Sequence, residues 1–244
     1  MKALSGRAVV TGAAAGIGRA VCERLRDEGV DVLAVDRDEA NLVTLGGVRT
    51  RVVDLSDEQD RDGLVDDARG CRYLVNAAGI IRLRNIFDFT IEDMREIYAV
   101  NVEAVWDLTS RLGREMPAGG AVVNLSSVSA KLATTTETSV YASSKAAVLS
   151  ITRSFAYALA PQGVRVNAIC PGIIDTPMQA NVLARLADLR GSTVEEILAA
   201  RSAMVPLGRA ASPDECAGLV CFLLSDDSGY ITGQAVSQDG GMVM

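Results

Sequence analysis

The 244-residue sequence contains no histidine, and that absence narrows its chemistry at once. Histidine is the side chain that titrates nearest neutral pH and the commonest metal ligand, so proton transfer here must fall to another group. Cysteine gives little help. Cys22, Cys71, Cys170, Cys216 and Cys221 are scattered, odd in number and never paired as CxxC. With neither His nor clustered Cys as ligand, no metal site is expected, and a cysteine nucleophile has no imidazole base. Buried, inert thiols kept reduced in the cytoplasm are the expectation. Aromatic residues make up only 4% of the chain, which argues against a flat aromatic pocket. No apolar run reaches the roughly 18 residues of a membrane span. The opening "MKALSGRAVVTG" enters a strand too soon for a signal peptide, so a cytoplasmic location is expected. Positive charge is also short: 24 Lys and Arg against 31 Asp and Glu give a net charge of −7. A nucleic-acid-binding face is therefore not expected.

What is present is a large apolar fraction, 49%, in an alternating pattern. Short apolar runs at 7–12, 31–36, 50–55, 72–79, 120–127 and 163–170 read as strands, with a last one in "GQAVSQDGG". Between them lie stretches of helical period at 17–29, 91–116, 140–161 and 213–226. Nearly all-apolar strands alternating with helices imply a parallel sheet covered on both faces. No linker, repeat or composition shift divides the chain. The expectation is an α/β fold: a single doubly wound, Rossmann-type domain over 1–244 with about seven parallel strands.

"TGAAAGIGRA" joins the first strand to the first helix, with Gly12, Gly16 and Gly18 in a GxxxGxG spacing. Residues without Cβ let the backbone approach a pyrophosphate at a helix N-terminus. A glycine-rich turn alone is equally a tight connection, but the second strand ends at Asp36, 18 residues after Gly18. An acid there can accept hydrogen bonds from ribose hydroxyls and opposes the 2′-phosphate of NADP. Arg37 and Arg7 are the counter-signal, since an arginine nearby can accommodate that phosphate.

Tyr141 and Lys145 stand four apart and share a helix face. A tyrosine with a reference pKa of about 10 is a poor base at neutral pH. A neighbouring ammonium favours the phenolate, so a cation-tuned tyrosine can replace histidine in handling the proton of an alcohol. A surface tyrosine near a lysine is the plain alternative.

The two signals join in a longer series: "TGAAAGIG", Asp54, "NAAG" (76–79), Asn101, "NLSS" (124–127), "YASSK" (141–145), "PGIIDTPM" (171–178) and "YITGQAVSQDGG". In this order the chain resembles the short-chain dehydrogenase/reductase family from Gly6 to Gly241. The resemblance implies an NAD-dependent oxidoreductase. Tyr141 would be its general acid/base, Lys145 would lower the tyrosine pKa and hold the nicotinamide ribose, and Ser127 would bond the substrate oxygen. Asn101 would hold a water in a proton relay. For the cofactor it implies Gly12, Gly16, Ile17, Gly18, Asp36 and Arg37 at the phosphate and ribose end. Asp54 and Leu55 would flank the adenine, with Asn76, Ala77, Ala78 and Gly79 supporting the adenosine half. Pro171, Gly172, Ile174 and Thr176 would lie toward the carboxamide. A homotetramer is implied as well, with the apolar tail "GGMVM" meeting a neighbour. Tyr141 follows Ser127 by 14 residues, one more than many members show, which leaves Ser126 and Ser129 as competitors.

Substrate choice is expected to lie in 80–86, 129–139 and a lid at about 177–209. Arg82 and Arg84 follow "NAAG", where "NAAGIIR" is similar to sugar-acid dehydrogenases of the family. A small polar secondary alcohol, a sugar acid or hydroxy acid, is the expected substrate. A 3-oxoacyl-thioester reductase is the alternative within the enzyme class, and a non-catalytic NAD-sensing module the alternative outside it.

Overall fold

The structure, a computed structural model, describes residues 4–133 and 135–243. Strand β1 (Arg7–Thr11) leads into helix α1 (Gly16–Asp27), then β2 (Asp31–Asp36), the short α2 (Glu39–Leu42) and β3 (Arg49–Val52). Next come α3 (Glu58–Ala68), β4 (Tyr73–Asn76), α4 (Ile91–Tyr98) and α5 (Ala104–Gly113). The second half runs β5 (Ala121–Leu125), α6 (Ser139–Leu159), β6 (Arg165–Pro171), α7 (Pro177–Arg190), α8 (Val194–Ser202), α9 (Pro213–Leu224) and β7 (Ala235–Gln238).

All seven strands are parallel, in the order β3-β2-β1-β4-β5-β6-β7. The strands look uniformly apolar because both sheet faces are cores, and alternate residues serve each. Ala8 and Val10 of β1 pack with Val21 and Leu25 of α1 and with Val220 and Cys221 of α9. Val9 points the other way, among Leu64 of α3, Leu108 of α5 and Leu159 of α6. All five cysteines are free and buried. Desolvation pushes the Cys22, Cys71, Cys216 and Cys221 thiols up to about 12. That suppresses the reactive thiolate.

The 91–116 stretch is not one regular helix. Between α4 and α5 a π-helical turn spans Ala99–Glu103, with the Ala104 N–H donating to the Ala99 carbonyl. Helices α2 and α3 have no counterpart in the sequence reading. Segment 177–209 folds as α7 and α8, which close over Leu83 through Val182, Leu186 and Ile197. Among the described residues no helix is long and apolar enough to cross a membrane.

Within the chain, the described part of the tail turns back on Asp239. Asp239 accepts from the Gly241 and Val243 N–H groups at 3.0 Å each, and Gly241 packs on Pro206 of the chain's own segment after α8.

Candidate active site

Strand order reverses between β1 and β4, and their C-terminal ends part there to open a cavity of about 340 Å³. Such a switch point is where open parallel sheets receive ligands. One end of the cavity is the β1–α1 turn. Gly12 has φ +69°, and a Cβ on it would come within 2.7 Å of the Ala78 backbone. A Cβ on Gly18 would collide with the Gly12 carbonyl. No other residue fits either place. Helix α1 has no side-chain cap and no acid in its first turn, so its positive end faces the cavity through Gly16, Ile17 and Gly18 uncompensated.

Asp36 lines the same end with both carboxylate oxygens oriented: one accepts from the Ala14 N–H and the other from the Asp38 N–H, each at 3.0 Å. Arg37, Asp54 and Leu55 form the adjoining wall. The Ser56 hydroxyl and N–H, at 2.7 and 2.9 Å, hold the Asp54 carboxyl below the usual carboxylate range, with the Arg37 charge adding to them. Ala77 and Ala78 donate to the Thr11 hydroxyl at 3.1 and 3.2 Å, which pins the loop after β4 as the floor. A phosphate-sized approach to bare backbone, a positive helix end and a fixed carboxylate fit a dinucleotide.

The other end carries the proton-handling groups. Ser127 follows β5, and its hydroxyl accepts from the Ser129 N–H at 3.1 Å. Tyr141 and Lys145 lie in the first turns of α6, with the Lys145 Nζ 5.8 Å from the Tyr141 ring centre. Lys145 is buried and donates to the Leu125 carbonyl at 2.8 Å. The sequence reading has the ammonium lowering the phenol. In the structure, desolvation instead pushes Tyr141 up to about 12, against a hydrogen bond from Ser127, and pulls Lys145 down to about 8. Desolvation is the largest cause in both. Ser126 is committed elsewhere, donating to the Lys145 carbonyl at 2.8 Å, so Ser127 is the serine that meets the phenol.

Asn101 sits fully buried in the π-helical turn. Its amide bonds both polar groups of Ile80 and the Ser144 hydroxyl, joining the loop after β4 to α6. Gly79 lies between: a Cβ there would meet the Lys145 Nζ at 3.2 Å and the Asn101 Oδ1 at 3.4 Å. The Asn101 side chain is thus a strut, with both its donor hydrogens already used.

A family model described as enoyl-(acyl carrier protein) reductase matches residues 12–243. The chain is 35% identical to the L-2,3-butanediol dehydrogenase of Corynebacterium glutamicum, over 97% of this chain and 98% of that one. The chain belongs to the short-chain dehydrogenase/reductase family. A (3R)-3-hydroxyacyl-CoA dehydrogenase of Rattus norvegicus is 33% identical over 98% of this chain and 97% of its own. A solved short-chain dehydrogenase from Burkholderia cenocepacia, in complex with NADP, superposes with a TM-score of 0.86. It is 29% identical and covers 97% of each chain.

Within this short-chain dehydrogenase, the remaining residues singled out in the sequence divide. Pro171, Gly172, Ile174 and Thr176 line the cavity, Thr176 as the N-cap of α7. Asn76 does not line it. Its side chain is buried one layer behind, donating to Thr109 at 3.1 Å and Asn124 at 2.8 Å, so any support it gives is indirect. Arg7 starts β1, at the far end of the strand from the cavity, and pairs with Asp31 at 3.1 Å. It is no counter-signal for the 2′-phosphate. Arg84 pairs with Asp93 at 2.9 Å and Arg82 with Glu96, and neither reaches the cavity wall. Both are held by acids of α4 that lie nearby in the fold but not in the motif. The cavity is also lined by Gln179 and Arg201, which lie in the expected lid segment but are not singled out there in the sequence, and by Met242.

Proposed function

We propose that the chain is an NAD-dependent oxidoreductase acting on a small polar secondary alcohol or its ketone, a hydroxy acid or sugar acid. The observation that carries this reading is one cavity with Ser127, Tyr141 and Lys145 at one end and the glycine turn and Asp36 at the other. A module that merely senses nucleotide has no use for the first group.

The bound nicotinamide supplies hydride transfer, which no side chain can. The residues of the chain do the rest. Gly12, Gly16, Ile17 and Gly18 hold the pyrophosphate, Asp36 and Arg37 the ribose, and Asp54 and Leu55 the adenine. Ala77, Ala78 and Gly79 give the floor, while Pro171, Gly172, Ile174 and Thr176 hold the carboxamide end. Asn76 backs that floor through the Asn124 ladder. In oxidation, the Tyr141 phenolate takes the hydroxyl proton of the substrate; in reduction, the phenol returns it. Ser127 donates to the substrate oxygen and steadies negative charge as it builds there. Lys145 favours the phenolate once the site is filled, because the charged ring adds a second cation beside the phenol. Asn101 fixes the Gly79–Ile80 loop against α6, and the one lone pair that Oδ1 retains holds the water of a proton relay that runs past it from Tyr141 through the ribose and Lys145.

Helices α7 and α8, with the rest of 177–209, act as the substrate lid. Five free, buried thiols suit a reducing, cytoplasmic setting. The assembly is a homotetramer by family resemblance, and the half-exposed Trp106 on α5 marks a face for it. The hydroxyacyl-CoA dehydrogenase relative favours one second reading, reduction of a 3-oxoacyl thioester. Turnover of sugar acids, hydroxy acids and acetoacetyl thioesters with NAD(H) and NADP(H) separates the two. Thioester turnover that exceeds every acid in the panel would overturn the first.

A further inference from the structure

Two hydrogen-bond donors on the lid line the cavity with no partner among the described residues. Arg201 of α8 and Gln179 in the first turn of α7 both line it. Arg201 Nε and Gln179 Nε2 are shielded from solvent and have no hydrogen-bond partner among the described residues. The other arginines of this segment have carboxylates: Arg185 reaches Asp188 at 3.9 Å, Arg190 meets Glu137 at 2.8 Å, and Arg209 meets Glu215 at 2.8 Å. Arg201 has no such partner among the described residues.

Both residues are half-buried, but a donor atom shut off from water and protein alike is costly, and a ligand acceptor in the cavity would satisfy it. The local field has the same sense, because Arg190 stands close enough for its charge to oppose that of Arg201. The acids that line the cavity, Asp36 and Asp54, belong to its nucleotide end. A group that satisfies these donors is a hydrogen-bond acceptor, and the guanidinium favours one that carries negative charge. The planar guanidinium fork matches a carboxylate with two parallel bonds, and the Gln179 amide adds a further donor.

We infer that Arg201, with Gln179, binds the carboxylate of an acid substrate whose hydroxyl or keto oxygen lies at Tyr141. This rests on the reading of the chain as an oxidoreductase of small secondary alcohols, and it names the acid as the preferred class. It also explains why Arg82 and Arg84 are not needed for the purpose: their acids are already supplied by α4. Phosphate has the same oxyanion chemistry and two possible sources, the 2′-phosphate of NADP and the phosphates of a thioester carrier.

The test compares a four-carbon hydroxy acid with the diol in which a hydroxymethyl group replaces its carboxylate. Wild type, Arg201→Gln and Arg201→Lys are assayed, with NADH binding as the check on folding. The acid-to-diol ratio of kcat/KM should fall about 30-fold or more in Arg201→Gln, chiefly through KM, as for a lost charge-assisted bond. Arg201→Lys, which keeps the charge without the fork, should fall between, and Gln179→Leu should lose less. An unchanged ratio in Arg201→Gln overturns the inference. If wild type turns over neither compound, the activity reading fails, and titration of small keto acids into the NADH-loaded protein still decides. Weaker binding to Arg201→Gln supports the carboxylate site; equal binding, or none to wild type, overturns it. Two further ratios separate the phosphate sources: NADPH against NADH affinity, and acetoacetyl-CoA against acetoacetyl-pantetheine turnover. A fall in either with the acid-to-diol ratio intact assigns Arg201 to phosphate and overturns the proposal.

Discussion

Asn101 grips Ile80 by both polar groups of its main chain: Oδ1 accepts from the Ile80 N–H at 2.9 Å and Nδ2 donates to the Ile80 carbonyl at 3.0 Å. The same Nδ2 donates to Ser144 at 3.0 Å, which makes one side chain the joint between the loop after β4 and helix α6. Asn101→Ala strands these partners in a buried place. A loss of about 2–4 kcal/mol of stability is expected, since each unsatisfied buried group costs about 1–3 kcal/mol. Urea unfolding measures it, and a loss under about 0.5 kcal/mol would show that the loop is held by other means. Asn101 makes these bonds from within the π-helical turn, a departure from regular helix that is frequent at functional sites.

Removing the Tyr141 hydroxyl tests the proton transfer itself. Tyr141→Phe leaves the ring packing and the nucleotide end untouched, so NADH affinity should stay within about threefold of wild type. The rate should fall by at least about a thousandfold, because the group that transfers the proton is gone. Turnover within tenfold of wild type would remove Tyr141 from the mechanism.

Lys145 makes a prediction about pH. Its ordinary value of 10.5 falls to about 8 in the fold, because burial disfavours the ammonium. Between those values the unfolded chain holds a proton that the native chain lacks. Stability from this group therefore rises with pH across pH 8 to 10.5, by up to about 1.4 kcal/mol per unit. Below pH 8 the fold carries the cost of a buried ammonium, eased by the Leu125 carbonyl. Lys145→Met should unfold at higher denaturant than wild type at neutral pH, and the gap should close toward pH 10. Tyr141 works in the opposite sense above its ordinary value of 10, where the native chain keeps the proton longer, so the comparison belongs below that pH. A gap that stays constant with pH would mean that Lys145 does not titrate differently in the two states.

The fold was largely legible because both sheet faces are buried. Asp31–Asp36 is a strand with the very limits its apolar run has in sequence, since the run ends where the cavity begins. Helix α3, "EQDRDGLVDDA", escaped because only Leu64 and Val65 offer large apolar side chains, too few to set a period. The π-helical turn escaped because the partner of its asparagine, the Ile80 peptide, is distant in sequence from Asn101. At the site, Ser127, Tyr141 and Lys145 are carried by a motif and come together on adjoining elements. Arg201 looks in sequence like Arg185, Arg190 or Arg209. Only the packing of α7 on α8 decides which of the four lines the cavity without an acid among the described residues.

Cofactor choice turns on Asp36 and Arg37, which line the same end of the cavity. Asp36 ends β2 with both oxygens oriented by backbone N–H groups, Ala14 on one and Asp38 on the other, so the carboxylate cannot swing aside without losing both bonds. Each oxygen keeps a lone pair for a ribose hydroxyl, whereas a phosphate monoester brings nearly two negative charges against it. Arg37 is the opposing influence: it is exposed, lines the cavity and lies close enough to act on Asp54. Family membership does not decide between them, because the Burkholderia cenocepacia structure carries NADP. A fixed carboxylate weighed against a flexible guanidinium gives an expected preference for NADH of at least tenfold, about 1.4 kcal/mol. Separate titrations of NADH and NADPH by nicotinamide fluorescence measure it. Asp36→Asn keeps one acceptor for the backbone and removes the charge, so it should narrow the preference several-fold by tightening NADPH. Arg37→Ala should widen it. Equal affinities in wild type, or an NADPH preference that survives Arg37→Ala, would show that Asp36 does not read the ribose.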